Sequence, residues 1–123
     1  MKLYIDDRRP APDGWHQAFN IADAIDIIEA NYKDITHISF DYYLSEEMPS
    51  HTGMLLINYL IHLEKSDNIN IFHQPFENYT FHSSDSSMND VMRDAVRFKA
   101  KPNSIKAKPV SQLQRLRKSS GRR

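Results

Sequence analysis

Two short apolar runs in the chain each end in acid. Leu3-Tyr4-Ile5 leads into Asp6-Asp7, and His37-Ile38-Ser39-Phe40 leads into Asp41. Their length and their aliphatic and aromatic content predict strands, the first buried on both faces, and Arg8-Arg9-Pro10 forbids its continuation. Residues 8–15 read as a loop, with Pro10, Pro12 and Gly14 precluding regular structure. From Ile21 to Tyr32 the apolar positions Ala24, Ile25, Ile28 and Tyr32 recur every three or four residues. Asp23, Asp26 and Glu29 face away, which predicts an amphipathic helix capped by Asn20. After Asp41 a polar loop from Ser45 to Thr52 reaches Gly53, which releases a second helix over Met54–Leu63 with Leu55, Leu56, Tyr59, Leu60 and Leu63 on its buried side. Ser66–Asn70 reads as a turn. Pro75 limits a strand at Ile69–Phe72, so Asn78–Ser83 is the better third strand. Ser87 is placed to cap a helix running from Met88 to about Phe98. Ser104–Ala107 reads as a last strand, followed by Lys108-Pro109 and a helix with Val110, Leu113 and Leu116 inward. Strands and helices alternate throughout, which predicts an α/β three-layer sandwich around a parallel sheet in one domain, 1–118, with a disordered basic tail, 119–123.

Composition narrows the chemistry. The 123 residues, 40% of them hydrophobic, suffice for a single core. Without cysteine there is no disulfide framework, zinc thiolate or thiol nucleophile, which suits a reducing cytoplasm. Asp6 and Asp7 fall where a signal peptide would carry its apolar segment, and no run is long enough to span a membrane, so a soluble cytoplasmic protein with no membrane partner is expected. The formal net charge of zero hides a polarised chain. Five Lys/Arg and fifteen Asp/Glu precede Arg93, and eleven Lys/Arg and one acid follow from it onward. The basic stretch either balances the acidic body or contacts nucleic-acid phosphates.

In an open parallel sheet the carboxyl ends of the strands form the ligand edge, and adjacent strands would bring Asp6, Asp7 and Asp41 together there. Three carboxylates so close need a hard cation, and oxygen-only ligands suit Mg²⁺. The alternative for each Asp is a helix-capping role. His82-Ser83 ends the next strand: the Ser83 hydroxyl and N–H suit a phosphoryl oxygen, and His82 suits proton transfer near neutral pH, or a structural role. Arg8 and Lys108 are the candidate phosphate-binding cations at that edge. Lys101-Pro102 competes with Lys108-Pro109, which is preferred because Ile105 and the apolar positions after it supply a strand and a helix. No Walker loop, dinucleotide fingerprint or nucleophile elbow occurs.

In order along the chain, Asp6-Asp7, Asp41, Thr52-Gly53, Ser83 and Lys108-Pro109 resemble the signature of response-regulator receiver domains, whose fold is flavodoxin-like. The resemblance implies Mg²⁺ on the acids and a phosphoryl group at Asp41 bound by the hydroxyl and lysine. A closer resemblance is to the cyclic-phosphate-processing receiver-like proteins of bacteria and phages. Their opening looks like Tyr4-Ile5-Asp6-Asp7-Arg8-Arg9-Pro10-Ala11-Pro12-Asp13-Gly14-Trp15. Their Ser-Leu-Asp-His-Asp-Leu motif is similar to Ser39-Phe40-Asp41-Tyr42-Tyr43-Leu44, and their His-Ser-x-Asn motif to His82-Ser83-Ser84-Asp85. Tyr42, Tyr43 and Asp85 depart from the pattern by replacing a His, an Asp and an amide. The resemblance implies Mg²⁺-dependent binding or hydrolysis of a nucleotide or RNA cyclic phosphate, a phosphodiesterase, with Asp6, Asp7 and Asp41 on the metal. Asp41 and His82 would then be catalytic, and Arg8, Ser83 and Lys108 would hold phosphate. Two alternatives stand beside it: a phospho-accepting signalling receiver, and a non-catalytic, phage-encoded protein that inhibits a host factor.

Overall fold

The computed structural model describes residues 1–101. Four strands, β1 (Lys2–Ile5), β2 (His16–Ala18), β3 (His37–Phe40) and β4 (Tyr79–Phe81), form one sheet in the order β2-β1-β3-β4, and every neighbouring pair is parallel. Three helices, α1 (Ile21–Asn31), α2 (Gly53–Asp67) and α3 (Ser86–Arg97), complete the described chain together with a 3₁₀ turn at Phe76–Asn78. The strand order is that of the flavodoxin-like doubly wound sheet. The connections β2→β3 and β3→β4 run in the same direction across the sheet, so right-handed crossovers put α1 and α2 on one face. There α1 packs on α2 and α2 on α3. Leu3, Ile5, Ile38 and Phe40 join Ile28, Leu56, Leu60 and Met92 in a core closed to solvent.

Register sets the functional edge. Ile5 lies opposite both Ala18 and Phe40, and Phe40 opposite Phe81. The ladder runs one step further, with Asp6 N–H donating to Ala18 O at 3.0 Å, Asp41 N–H to Ile5 O at 3.0 Å and His82 N–H to Phe40 O at 2.9 Å. Asp6, Asp41 and His82 therefore leave the sheet at one level.

Several local expectations change. Strand β1 is covered on one face rather than two, because Leu3 and Ile5 are buried while Lys2 is exposed and Tyr4 half-buried. Strand β2 was not predicted: His-Gln-Ala has little strand propensity and is held by pairing with β1 and by the Gln17 side chain. Helix α2 runs four residues beyond Leu63 and ends at Asn68, which takes the left-handed conformation (φ 53°). Ile57 is buried on α2, whereas Leu55 and Tyr59 point to solvent. Asp85, not Ser87, caps α3, its carboxylate accepting from the N–H groups of Ser87 and Met88. Asn20 caps α1 as expected. The expected strand at 104–107, the helix after Lys108-Pro109 and the 119–123 tail lie outside the described residues.

Candidate metal and phosphate site

The site is assembled around Asp6, which is 1% exposed. Its Oδ1 accepts from the backbone N–H groups of Arg8 and Arg9, both at 2.8 Å, so the loop after β1 folds back over its own carboxylate. Its Oδ2 faces His82 Nε2 at 2.9 Å. The other imidazole nitrogen, Nδ1, lies 2.7 Å from Ser39 Oγ, and the ring stacks on Tyr4 with centroids 4.3 Å apart and planes within 9°. Arg9 donates to the His82 carbonyl at 2.7 Å and brings Nε to 3.8 Å from Asp6 Oδ2. Gln17 laces the loop, its Nε2 donating to the carbonyls of Asp6 and Arg9 while its Oε1 accepts from Ala11 N–H.

Asp41 is 8% exposed. Its Oδ1 accepts from Tyr42 N–H at 2.8 Å. No donor reaches its Oδ2 among the described residues. Gly53 N–H donates to Tyr42 O at 2.6 Å, and Tyr43 bridges to Thr52, so the start of α2 is drawn against the Asp41 backbone.

Burial raises the Asp6 carboxyl pKa, but the Arg8 and Arg9 N–H groups and His82 outweigh it and leave it below the usual carboxylate value. Asp41 goes the other way: burial pushes it up, Tyr42 N–H opposes, and the negative charge of Asp6 adds to the rise. Burial also holds His82 below its usual pKa against the pull of Asp6 and Asp41. The Asp6–His82 contact is accordingly a hydrogen bond from a neutral ring, Nε2–H donating to the carboxylate and Nδ1 accepting from the Ser39 hydroxyl. His37 is depressed as well, by burial and then by Lys2 and the N-terminal ammonium. An unfolded chain takes up protons at these histidines near the ordinary value of 6.5, which the folded protein resists until lower pH. We therefore expect stability at neutral pH to be lost as pH falls below about 6.5. Denaturant unfolding at pH 7 and pH 5.5 checks this, with His82→Gln showing a shallower decline than wild type.

A cavity of about 510 Å³ opens at this edge, lined by Asp6, Asp7, Arg8, Arg9, Asp41 and Tyr43 with the 45–49 loop and Ser84. Of the residues expected at the site, Asp6, Asp41 and His82 converge, each with one ligand atom within 4.8 Å of the others. Asp7 lines the cavity but stands outside that trio. Arg8 is exposed and ion-paired with Glu46. Ser83 is buried at the start of α3, its hydroxyl accepting from Asp85 N–H and its backbone exchanging two hydrogen bonds with the Asn89 amide. Lys108 lies outside the described residues. Lys101 pairs with Pro75, which precedes β4, so it sits at the sheet edge remote from the acids. Three residues close to the acids escaped the sequence reading: Arg9, Ser39 and Gln17. Arg9 and Ser39 stand within the stretches that carry the family resemblance without a role being read for them, whereas nothing local marks Gln17.

The residues fit a divalent cation. The open Oδ2 of a buried Asp41, beside the charge of Asp6, is an acceptor with no positive partner of its own among the described residues, and the Asp41 pKa is raised as such an arrangement requires.

A parallel sheet in this order, with acids on neighbouring strand ends, defines a receiver-like α/β domain. The model of the family described as the cyclic-phosphate processing receiver domain matches residues 1–98, and the chain belongs to that family. Neither a curated protein nor a solved structure matches it. Among the described residues no helix is long and apolar enough to cross a membrane.

Proposed function

We propose that the chain is a divalent-cation-dependent phosphate-handling domain that takes the cyclic phosphate of a nucleotide or an RNA end. One observation carries this: a single cavity presents carboxylates for a cation, Asp6 and Asp41 with Asp7 at its wall, and guanidinium groups for phosphate oxygens, Arg8 and Arg9. Membership of a cyclic-phosphate processing family supports the same substrate class. A bound cation, Mg²⁺ by the resemblance to receivers, supplies charge neutralisation at phosphorus and a water of lowered pKa. Arg9, braced by the His82 carbonyl and Asp6, presents a fixed donor fork, and Arg8 exchanges Glu46 for a phosphate oxygen. Ser83 and Lys108 are the further phosphate-binding candidates. Hydrolysis adds water at phosphorus and breaks one ring ester bond, the proton passing to the leaving ribose oxygen.

Phosphorus NMR of a nucleoside 2′,3′-cyclic phosphate with protein and either Mg²⁺ or Mn²⁺ tests the proposal. Conversion to a monophosphate that Asp41→Asn abolishes is the expected result, and no binding and no turnover would overturn it. Tyr43 favours a second reading. It lines the cavity and donates to Asp85 Oδ2 at 3.2 Å, where the resemblance places an acid, so cyclic-phosphate binding without turnover would mark a non-catalytic binder. A mass gain of one phosphoryl group at Asp41 after acetyl phosphate would identify a phospho-accepting receiver instead.

Residues 102–123 hold seven Lys/Arg and no acid. If they contact RNA, affinity falls steeply with salt and shows little sequence preference. Truncation from Ser111 then removes most RNA affinity and leaves cation binding intact, and RNA binding untouched by the cut ends that reading.

A further inference from the structure

We propose that His82 is itself a ligand of the cation, completing an Asp6–Asp41–His82 site that takes a transition-metal dication in preference to Mg²⁺. The inference rests on the cation reading above and names the third ligand and the metal class.

Placement comes first. The ligand atoms of the three residues lie within 4.8 Å of one another, a spacing that bonds of about 2.0–2.2 Å from one ion can close with small side-chain shifts. Asp41 is more than nine-tenths buried, lines the cavity and leaves Oδ2 without a donor among the described residues, so the trio is short of one positive partner.

His82 is built as a ligand rather than as a proton carrier that follows a substrate. Tyr4 covers one face of its ring, Ser39 fixes Nδ1, and Arg9 ties down its carbonyl. Such a ring has little room to swing. The His82 side chain is only 16% exposed, and Asp6 and Asp41 rather than the ring line the cavity.

Ser39 supplies the remaining requirement. Coordination needs a lone pair on Nε2, which in the cation-free protein carries the proton donated to Asp6. A hydroxyl both donates and accepts, so Ser39 satisfies either tautomer: it donates to Nδ1 without the ion and accepts from Nδ1–H with it. One proton moves between ring nitrogens and none is gained or lost. A second hydrogen-bonding group on the far nitrogen is the usual support of a metal-bound histidine. Imidazole nitrogen favours transition metals, whereas Mg²⁺ prefers an all-oxygen shell, so a mixed nitrogen and carboxylate set selects against Mg²⁺.

Mn²⁺ serves as a paramagnetic probe. Pulsed electron paramagnetic resonance of wild-type protein with Mn²⁺ should show coupling to ¹⁴N that becomes ¹⁵N coupling when the histidines are isotopically labelled. His82→Gln should lose the coupling and bind Mn²⁺ at least about tenfold more weakly, with Mg²⁺ affinity unmoved. Ser39→Ala should retain the coupling but weaken Mn²⁺ about tenfold, the size of effect typical of a lost supporting partner. Because the decisive signal comes from wild-type protein, misfolding of a variant leaves the test intact. Mn²⁺ binding that depends on Asp41 but shows no nitrogen coupling would overturn the role of His82 and leave the cation site standing. Absence of Mn²⁺ binding would overturn both.

Discussion

Asp6→Ala should cost about 3 kcal/mol or more of folding stability, while Asp41→Asn, one strand away, should cost nothing and stabilise the cation-free protein. The two acids look equivalent in sequence and are opposite in environment. Alanine at position 6 leaves two backbone N–H groups and an imidazole N–H without their acceptor in a part-buried site, and each such orphan costs about 1–3 kcal/mol where water does not replace the carboxylate. The Asp6 pKa is depressed, so its charge stabilises the fold above the ordinary carboxylate pKa, and that contribution disappears as pH falls through the depressed value. Asp41 has a raised pKa, so the folded state holds its proton more tightly, and its ionisation removes stability as pH rises through that value. Asparagine there keeps an oxygen for Tyr42 N–H and deletes the repulsion with Asp6. Denaturant midpoints of the two variants without divalent cations at pH 7 decide the matter, and equal losses would contradict it.

Gly53→Ala is the other large expected effect. A Cβ at position 53 would overlap the carbonyl oxygen of Asp41 and sit 2.7 Å from Met92 Sδ. The thioether can yield, but the carbonyl belongs to backbone tied into β3, so α2 must move away from the sheet. Overpacking of this kind costs about 1–3 kcal/mol. For a domain of this size each kcal/mol lowers Tm by about 4 °C. The shift also disturbs Asp41, so cation affinity should fall together with Tm. A variant with wild-type Tm would show that the close approach is not needed.

The legible parts of this molecule are those written in local periodicity. The two acid-ended strands, α1 with its Asn20 cap, and the helices after Gly53 and after His82-Ser83 all follow from spacing and breakers. Strand β2 did not, since its three residues are strand-forming only through partners thirteen residues upstream and a glutamine that braces a loop. The inward face of α2 was half misread because Leu55 and Tyr59 are as apolar as the residues that are buried. Convergence of Asp6 and Asp41 was legible once the strands were taken as neighbours. The Ser39–His82–Asp6 chain was not, because it depends on the register of β3 against β4 and on which face each residue takes. Asp7 follows the end of β1 and lines the same cavity as Asp6 and Asp41, beside the converging trio of Asp6, Asp41 and His82.

The most direct test of the central claim is a crystal grown with Mn²⁺ and a nucleoside 2′,3′-cyclic phosphate, with data collected at the manganese absorption edge. The account predicts an anomalous peak between the carboxylates of Asp6 and Asp41 and phosphate density against Arg9. An edge without that peak, in crystals that diffract well enough to show ordered water, would contradict it.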